Sequence, residues 1–427
     1  MTLTWCALFV EAYICYLFGI YEHFNSENIS ILSGIIVSIN IVVACADLLK
    51  KKEDKKIVIT ILGGFLFRII LLLWDLNFRS IFTFPDSLDM GTYVFTAANL
   101  YEGINVGRGG LYSKLVCYVL YTFFGVQPII AQYVNVLLAI STIIITKKIL
   151  RELEVKTKYI FYVVFIMSFL PYYAMNNVLM LREIINQFLI AVSLHFFVIW
   201  YKKGKMKDFV LACIATIGAA AFHSGAIAPL VAYAICYVLY DRQSNKFNFK
   251  PRTIFAICLC IVVFAVINAS MSDVIFGKFG NVESVEDITR VAESHNDGGA
   301  SYDVGIESGN ASVDMVVNTP LRMLYFVLSP VPWKWRGIND ILGFFCSAAL
   351  YGYAYIIAIK SLLKKDCVNK NMIIVGLIIA LSSAMIFAWG VSNAGAALRH
   401  RDKFICPYMV LLGLSLPNVF VKKESDC

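Results

Sequence analysis

Charge is scarce in this chain, and so are the marks of a soluble or secreted protein. Only 15% of its 427 residues are Asp, Glu, Lys or Arg, where a soluble domain carries about 25%. That shortage excludes a soluble enzyme, a disordered scaffold and a nucleic-acid binder. The 12 cysteines form no CxxC pair and are scattered through apolar stretches, as at Cys15, Cys213, Cys258 and Cys260. A zinc site or a secreted disulfide framework is therefore not expected. Residues 1–21 lack a basic leader and a small-residue cleavage site, so they read as a retained first span. No internal repeat is visible.

What the chain has is hydrocarbon. Hydrophobic residues make up 59% and the mean hydropathy is +0.73, arranged in runs of roughly 20 residues, enough for a helix to cross a bilayer. The runs lie near 3–21, 29–49, 57–76, 128–149, 158–176, 178–201, 207–223, 224–240, 252–270, 340–361, 371–390 and 403–421. The expected fold is all-α, a polytopic integral membrane protein of about 12 transmembrane helices forming one domain over residues 1–427.

The net charge of +8 follows from topology. Of 37 Lys and Arg, 24 fall in six short segments, beginning at Lys50, Lys147, Lys202, Arg242, Lys360 and Lys422. Clusters beside spans mark cytoplasmic loops. Twelve crossings with both termini inside put all six on that side. The short apolar segment LYSKLVCYVLYTFFG (111–125) would reverse the later clusters if it crossed. It reads instead as an amphipathic helix at the outer interface. Two sizeable outer loops follow from this arrangement. Residues 77–127 hold interfacial helices. Residues 271–339 begin with an acidic, Gly/Ser-rich part and end in an apolar aromatic part expected to dip back onto the membrane.

The 13 Lys and Arg outside those clusters are the informative ones, because an ionised group in a membrane must be paired, hydrated or functional. Arg182 is expected about four residues inside the outer end of its helix. Glu183, Asn186, Gln187 and Ser193 would continue a polar stripe, and the guanidinium could grip phosphate oxygens. A snorkelling helix-end arginine is the plainer alternative. His223, in AAAFHSGAI, could act as general base, as donor to phosphate, or merely as a helix-end cap. Arg399, His400 and Arg401 are expected to open the last helix as an anion site, or to meet lipid headgroups. Asp86 and Asp89, followed by Tyr93 in PDSLDMGTY, could deprotonate a sugar hydroxyl; an N-cap or a solvated face explains them as well. Glu11 and Arg68 are expected to form a structural pair in mid-membrane. Tyr325, Trp333 and Trp335 read as a sugar-stacking surface or an interfacial aromatic belt.

On these pieces (PDSLDMGTY, LREIINQFLIAVSLHFFVIWYKKGKMKDF and FHSGAI) the chain resembles the EpsG/Wzy-type polysaccharide polymerases. The acidic first outer loop, GLYSKLVCYVLYTFFGV and the late RHRDKFICP also resemble the GT-C fold of polyprenyl-phosphate-dependent glycosyltransferases. The resemblance implies a metal-independent, cofactor-free, inverting polymerase on the outer face of a bacterial cytoplasmic membrane. Its partners would be an undecaprenyl-diphosphate-linked glycan, membrane lipid and a chain-length regulator protein, with no nucleic acid. Arg182, Arg399 and Arg401 would hold the diphosphate, with Glu183, Tyr93 and Asn186 around the substrate; Asp86, Asp89 or His223 would be catalytic. One departure is Glu183, where an Arg-Gln pair is common in the family. Two rivals remain: a GT-C transferase adding one sugar from a polyprenyl-phosphate donor, and a lipid-oligosaccharide flippase. A flippase usually shows inverted repeats and midplane polar sites, and neither is visible here.

Overall fold

The computed structural model describes residues 2–18, 25–106, 110–241, 244, 246–247, 301, 304–305 and 310–420. The expected span at 252–270 and the acidic stretch up to residue 300 lie outside the described residues. Helix dominates. β structure among the described residues is one two-residue ladder, Tyr240–Asp241 with Lys246–Phe247, and a bridge between Ser301 and Asn393.

The helices are α1 Thr2–Leu17, α2 Ser26–Lys50, α3 Lys55–Asn77, α4 Ser87–Tyr101, α5 Gly110–Leu115 and α6 Pro128–Glu152. They continue as α7 Thr157–Phe169, α8 Pro171–Val178, α9 Glu183–Lys203, α10 Met206–Phe222 and α11 Pro229–Leu239. The last six are α12 Ala311–Leu328, α13 Ile338–Gly343, α14 Ala349–Leu362, α15 Lys370–Gly390, α16 Ala394–Asp402 and α17 Ile405–Phe420. Among the described residues, six helical segments are long and apolar enough to cross a membrane, or eight if two bent pairs each count as one span. This is a multi-pass membrane protein.

Chain contacts divide the molecule into two compact units. The first holds Met1–Ile144 with Phe161–Phe188, the second Ile145–Ile160 with Leu189–Cys427.

In the first unit, α3 shows why a membrane helix need not be amphipathic. Ile57, Ile61, Phe65 and Leu72 are buried, while Ile59, Leu66, Ile70 and Leu73 stay exposed, an apolar face suited to lipid. Two residues past the end of α2, Lys52 takes φ 59°, and the Glu53 N–H donates to Leu48 O. That is the left-handed close of a helix C-terminus. The segment 110–124, expected at the interface, is helical through a π turn at Val116–Tyr121, and it buries Tyr112, Val116, Cys117 and Tyr121.

The expected span at 158–176 is broken. Pro171 forces Leu170 into extended backbone (φ −62°, ψ 112°), because the proline ring clashes with a helical predecessor. α7 and α8 consequently meet at 54°. A break inside a membrane frees carbonyls that water cannot reach, and side chains take over. Arg68 donates to Gly64 O (3.0 Å), Ser168 O (2.9 Å) and Met167 O (3.0 Å). Arg68 is therefore a clamp on the broken helix. Glu11 instead accepts from Asn40 Nδ2 at 2.9 Å, so the expected Glu11–Arg68 pair is replaced by two separate arrangements.

In the second unit, α14 packs on α17, and α15 packs on α11, α12 and α17. Ser193 Oγ bonds Ala212 O (2.8 Å), Thr216 Oγ1 (2.6 Å) and Tyr233 Oη (3.0 Å), joining α9, α10 and α11 by polar contacts of the kind that glue membrane helices. α16 and α17 are bent by 69°.

Candidate functional site

Each unit carries its own polar cluster. The cluster of the first unit is built around the turn Leu179–Arg182, between α8 and α9. Gln132 Nε2 donates to Val178 O (2.9 Å) and Asp75 Oδ2 (3.1 Å); Asn135 Nδ2 donates to Leu179 O (2.6 Å) and Leu181 O (3.3 Å). Amides supply donors and acceptors at once, which suits a turn whose backbone groups have left the helix ladder. The sequence signal was there: two amides in the apolar run 128–149, Asn176 and Asn177 in the next, and Pro171 ahead of them.

Arg182 does not lie inside its helix as the hydropathy suggested. α9 begins at Glu183, so Arg182 ends the turn before it. Its Nε stands 3.8 Å from Glu183 Oε1, and its guanidinium lies 6.0 Å from the centre of the Tyr93 ring. Burial pushes the Tyr93 phenol up, and Glu183 adds to this while Arg182 opposes it. Tyr93 thus keeps its proton and can offer it as a hydrogen-bond donor. Its ring meets Tyr112 edge-on at 5.4 Å, and Asn135 Nδ2 reaches Tyr112 Oη at 3.3 Å. Asn186 is buried one turn into α9, its Nδ2 donating to Arg182 O at 3.3 Å.

Asp86 occupies the N-cap position of α4 but makes no side-chain cap bond there. Its Oδ2 accepts from Tyr172 Oη at 3.1 Å. A buried carboxylate at a helix N-terminus gains from the helix dipole, and Tyr172 fixes its orientation. Asp89 follows in the first turn of α4. The first unit therefore brings together Arg182, Glu183 and Tyr93, and holds Asp86 and Asp89 at one helix start.

The second unit gathers cations and imidazoles. Arg399, His400 and Arg401 sit in the last turn of α16 and do not open the final helix. The bend at 402–405 separates the two. Arg401 is fully buried and donates to Phe326 O (2.5 Å) and Ser329 O (2.6 Å). It anchors the end of α12, so its guanidinium is largely structural. Arg322 and Lys403 are among the 13 unclustered cations, with no role assigned from sequence: Arg322 lies 4.4 Å from the Trp389 ring centre, and Lys403 is buried with its ammonium 5.4 Å from the Phe387 ring centre. Asp402 accepts from Tyr351 Oη at 2.6 Å.

Two histidines meet in this cluster. The His223 and His400 rings are 4.9 Å apart, and Phe387 lies 5.3 and 5.0 Å from them. His223 Nδ1 accepts from the Gly225 N–H at 3.2 Å. His400 Nδ1 accepts from the Lys403 ammonium, which can only donate. A neutral imidazole that accepts at Nδ1 carries its proton on Nε2. Both rings are thereby assigned as Nε2–H donors. Chemically, two N–H donors among Arg322, Arg399, Lys403 and Arg401 suit an anion. They also favour His223 as a donor to phosphate over His223 as a base.

Among the described residues no three His, Cys, Asp or Glu side chains group as metal ligands. No protein-family model, curated protein or solved structure matches this chain.

Proposed function

We propose that the chain is a glycan polymerase, joining oligosaccharide repeat units carried on undecaprenyl diphosphate at the outer face of the bacterial cytoplasmic membrane. In this reading the fold is GT-C-like, with twelve crossings and both termini cytoplasmic. The observation that supports it most is the cation-rich group of the second unit, Arg322, Arg399 and Lys403 with the Nε2–H donors of His223 and His400. Donors outnumber acceptors in this group, which suits an anion. A lipid diphosphate supplies that anion inside a membrane.

In the reaction, an acceptor sugar hydroxyl attacks the anomeric carbon of the donor. The new C–O bond forms as the bond to the diphosphate breaks, with inversion. The hydroxyl proton passes to a carboxylate base, and the electron pair leaves on the diphosphate oxygen. Donors aimed at that developing charge lower the barrier; removing one such donor costs about 10²–10³ in rate.

The test uses His223. Asn at this position retains an acceptor near Nδ1 for the Gly225 N–H but lacks the Nε2 donor, whereas Gln carries an amide N–H near the Nε2 position. His223→Gln should retain more high-molecular-weight polymer than His223→Asn, at equal protein level. Equal loss in both would remove the donor role. Wild-type polymer from both would remove the proposal. A product only one sugar longer would favour the single-sugar transferase.

A further inference from the structure

The turn between α8 and α9 holds polar groups that the scheme above does not use. Asn135, Asn176, Asn177, Asn186 and Gln187 are all at most 1% exposed. Among their side-chain atoms, Asn135 Oδ1, Asn186 Oδ1 and both polar atoms of Asn176, Asn177 and Gln187 make no hydrogen bond within the protein. Buried polar atoms are nearly always satisfied in folded proteins. In a membrane the requirement is stricter, since no bulk solvent can repair it. Isolated cases occur, but here eight atoms belong to five side chains that flank or hold one turn.

We infer that these amides form a binding site for an uncharged sugar ring. The chemistry selects the ligand class. The eight atoms are five acceptor oxygens and three donor nitrogens, so both kinds are on offer. A phosphate would need donors only, a metal or ammonium acceptors only, and a hydrocarbon chain would leave every atom unpaired. A sugar hydroxyl donates and accepts, and a ring presents several in fixed positions. The five side chains carry no charge. Tyr112, bonded to Asn135 and edge-on to Tyr93, adds an aromatic surface for the C–H face of a sugar. Asn135 is held in place by Leu179 O and Leu181 O, so the site is preorganised by the same bonds that hold the turn. The source of the sugar, a lipid-linked repeat unit, rests on the polymerase reading, whereas the existence of the site does not.

The test takes the full-length protein in lipid nanodiscs and the free sugars N-acetylglucosamine, glucose and galactose as probes. Saturation-transfer NMR reads contact between protein and sugar ring protons. The variant is Asn177→Leu/Gln187→Met, which replaces unpaired amides by apolar groups of the same shape. At least one sugar should receive transfer from the wild type, with binding about tenfold weaker or worse in the variant. Its sugar-free melting temperature should equal or exceed that of the wild type, because removing an unpaired buried amide relieves its desolvation. Three results overturn the assignment: no transfer to any of the sugars, equal transfer in the variant, or a clearly lower sugar-free melting temperature. The last means that the amides hold the fold through bound water. Should the His223 variants make normal polymer, the polymerase reading falls while sugar transfer to these amides still stands or fails on its own.

Discussion

Replacing Arg68 by Met should destabilise the first unit, and the size of the loss follows from what the guanidinium touches. It is fully buried and donates three hydrogen bonds of 2.9–3.0 Å to the carbonyls of Gly64, Met167 and Ser168. Two opposing effects decide the outcome. Methionine removes a buried charge, which by itself relieves desolvation and can stabilise when both members of a pair are replaced. Here the partners are backbone carbonyls, and no substitution can remove them. The break at Leu170 leaves Met167 and Ser168 near the end of α7, where following residues no longer donate along the helix. Hydrogen bonds to a charged group contribute about 1.5–3 kcal/mol each and are not additive, so a net loss of about 3–5 kcal/mol is expected, as for other broken buried ionic networks. At about 2–4 °C per kcal/mol for a unit of this size, the melting temperature should fall by roughly 6–20 °C. Arg68→Lys keeps one or two of the bonds without the planar fork and should fall between. The buried thiols of Cys45 and Cys117, both in the first unit, report unfolding through a thiol-reactive dye. Arg68→Met melting within a degree or two of wild type would refute the clamp.

The other expectations concern the second unit and its surface. Arg401→Met leaves Phe326 O and Ser329 O without their donors and should lower stability by about 3–5 kcal/mol, whereas Arg399→Ala should melt like wild type yet make little polymer. Thermal melts paired with a glycan gel separate these two arginines. A Cβ at Gly225 would enter the Phe387 ring, which stacks on Phe326 and His400; Gly225→Ala should cost about 1–3 kcal/mol and reduce polymer with it. Lys202, 2.5 Å from Glu154, holds that carboxyl below its usual range. The depressed value means that the contribution is present above about pH 4.3 and fades as pH falls through the lowered pKa. The pair is exposed, so Glu154→Gln should barely move the melting temperature at pH 7.

Much of the membrane architecture was legible in composition. The runs at 29–49, 57–76, 128–149 and 371–390 match α2, α3, α6 and α15 closely, because a twenty-residue apolar run in a bilayer has little choice but helix. The stretch 77–127 holds helices at Ser87–Tyr101 and 110–124, where PDSLDMGTYVFTAANLYEG and the Tyr-rich 111–125 suggested them. The breaks were not legible. Averaging hydropathy over a span hides one extended residue at Leu170, and the groups that stabilise the break, Arg68, Gln132 and Asn135, lie far away in sequence. That is why Arg68 read as a partner for Glu11 and Arg182 as four residues inside a helix. The same limit applied to the late basic motif: RHRDKF announced an anion site, but only the fold shows Arg401 turned onto carbonyls and Lys403 placed against His400. Arg322 and Asp402 gave no signal beyond being charged in an apolar region.

Purified protein in lipid vesicles, supplied with an oligosaccharide on undecaprenyl diphosphate, tests the central proposal most directly. The expected result is a ladder of products spaced by whole repeat units, with undecaprenyl diphosphate released at each step. Addition of a single sugar from a polyprenyl-phosphate donor, or translocation of the lipid-linked glycan without any new bond, would contradict it.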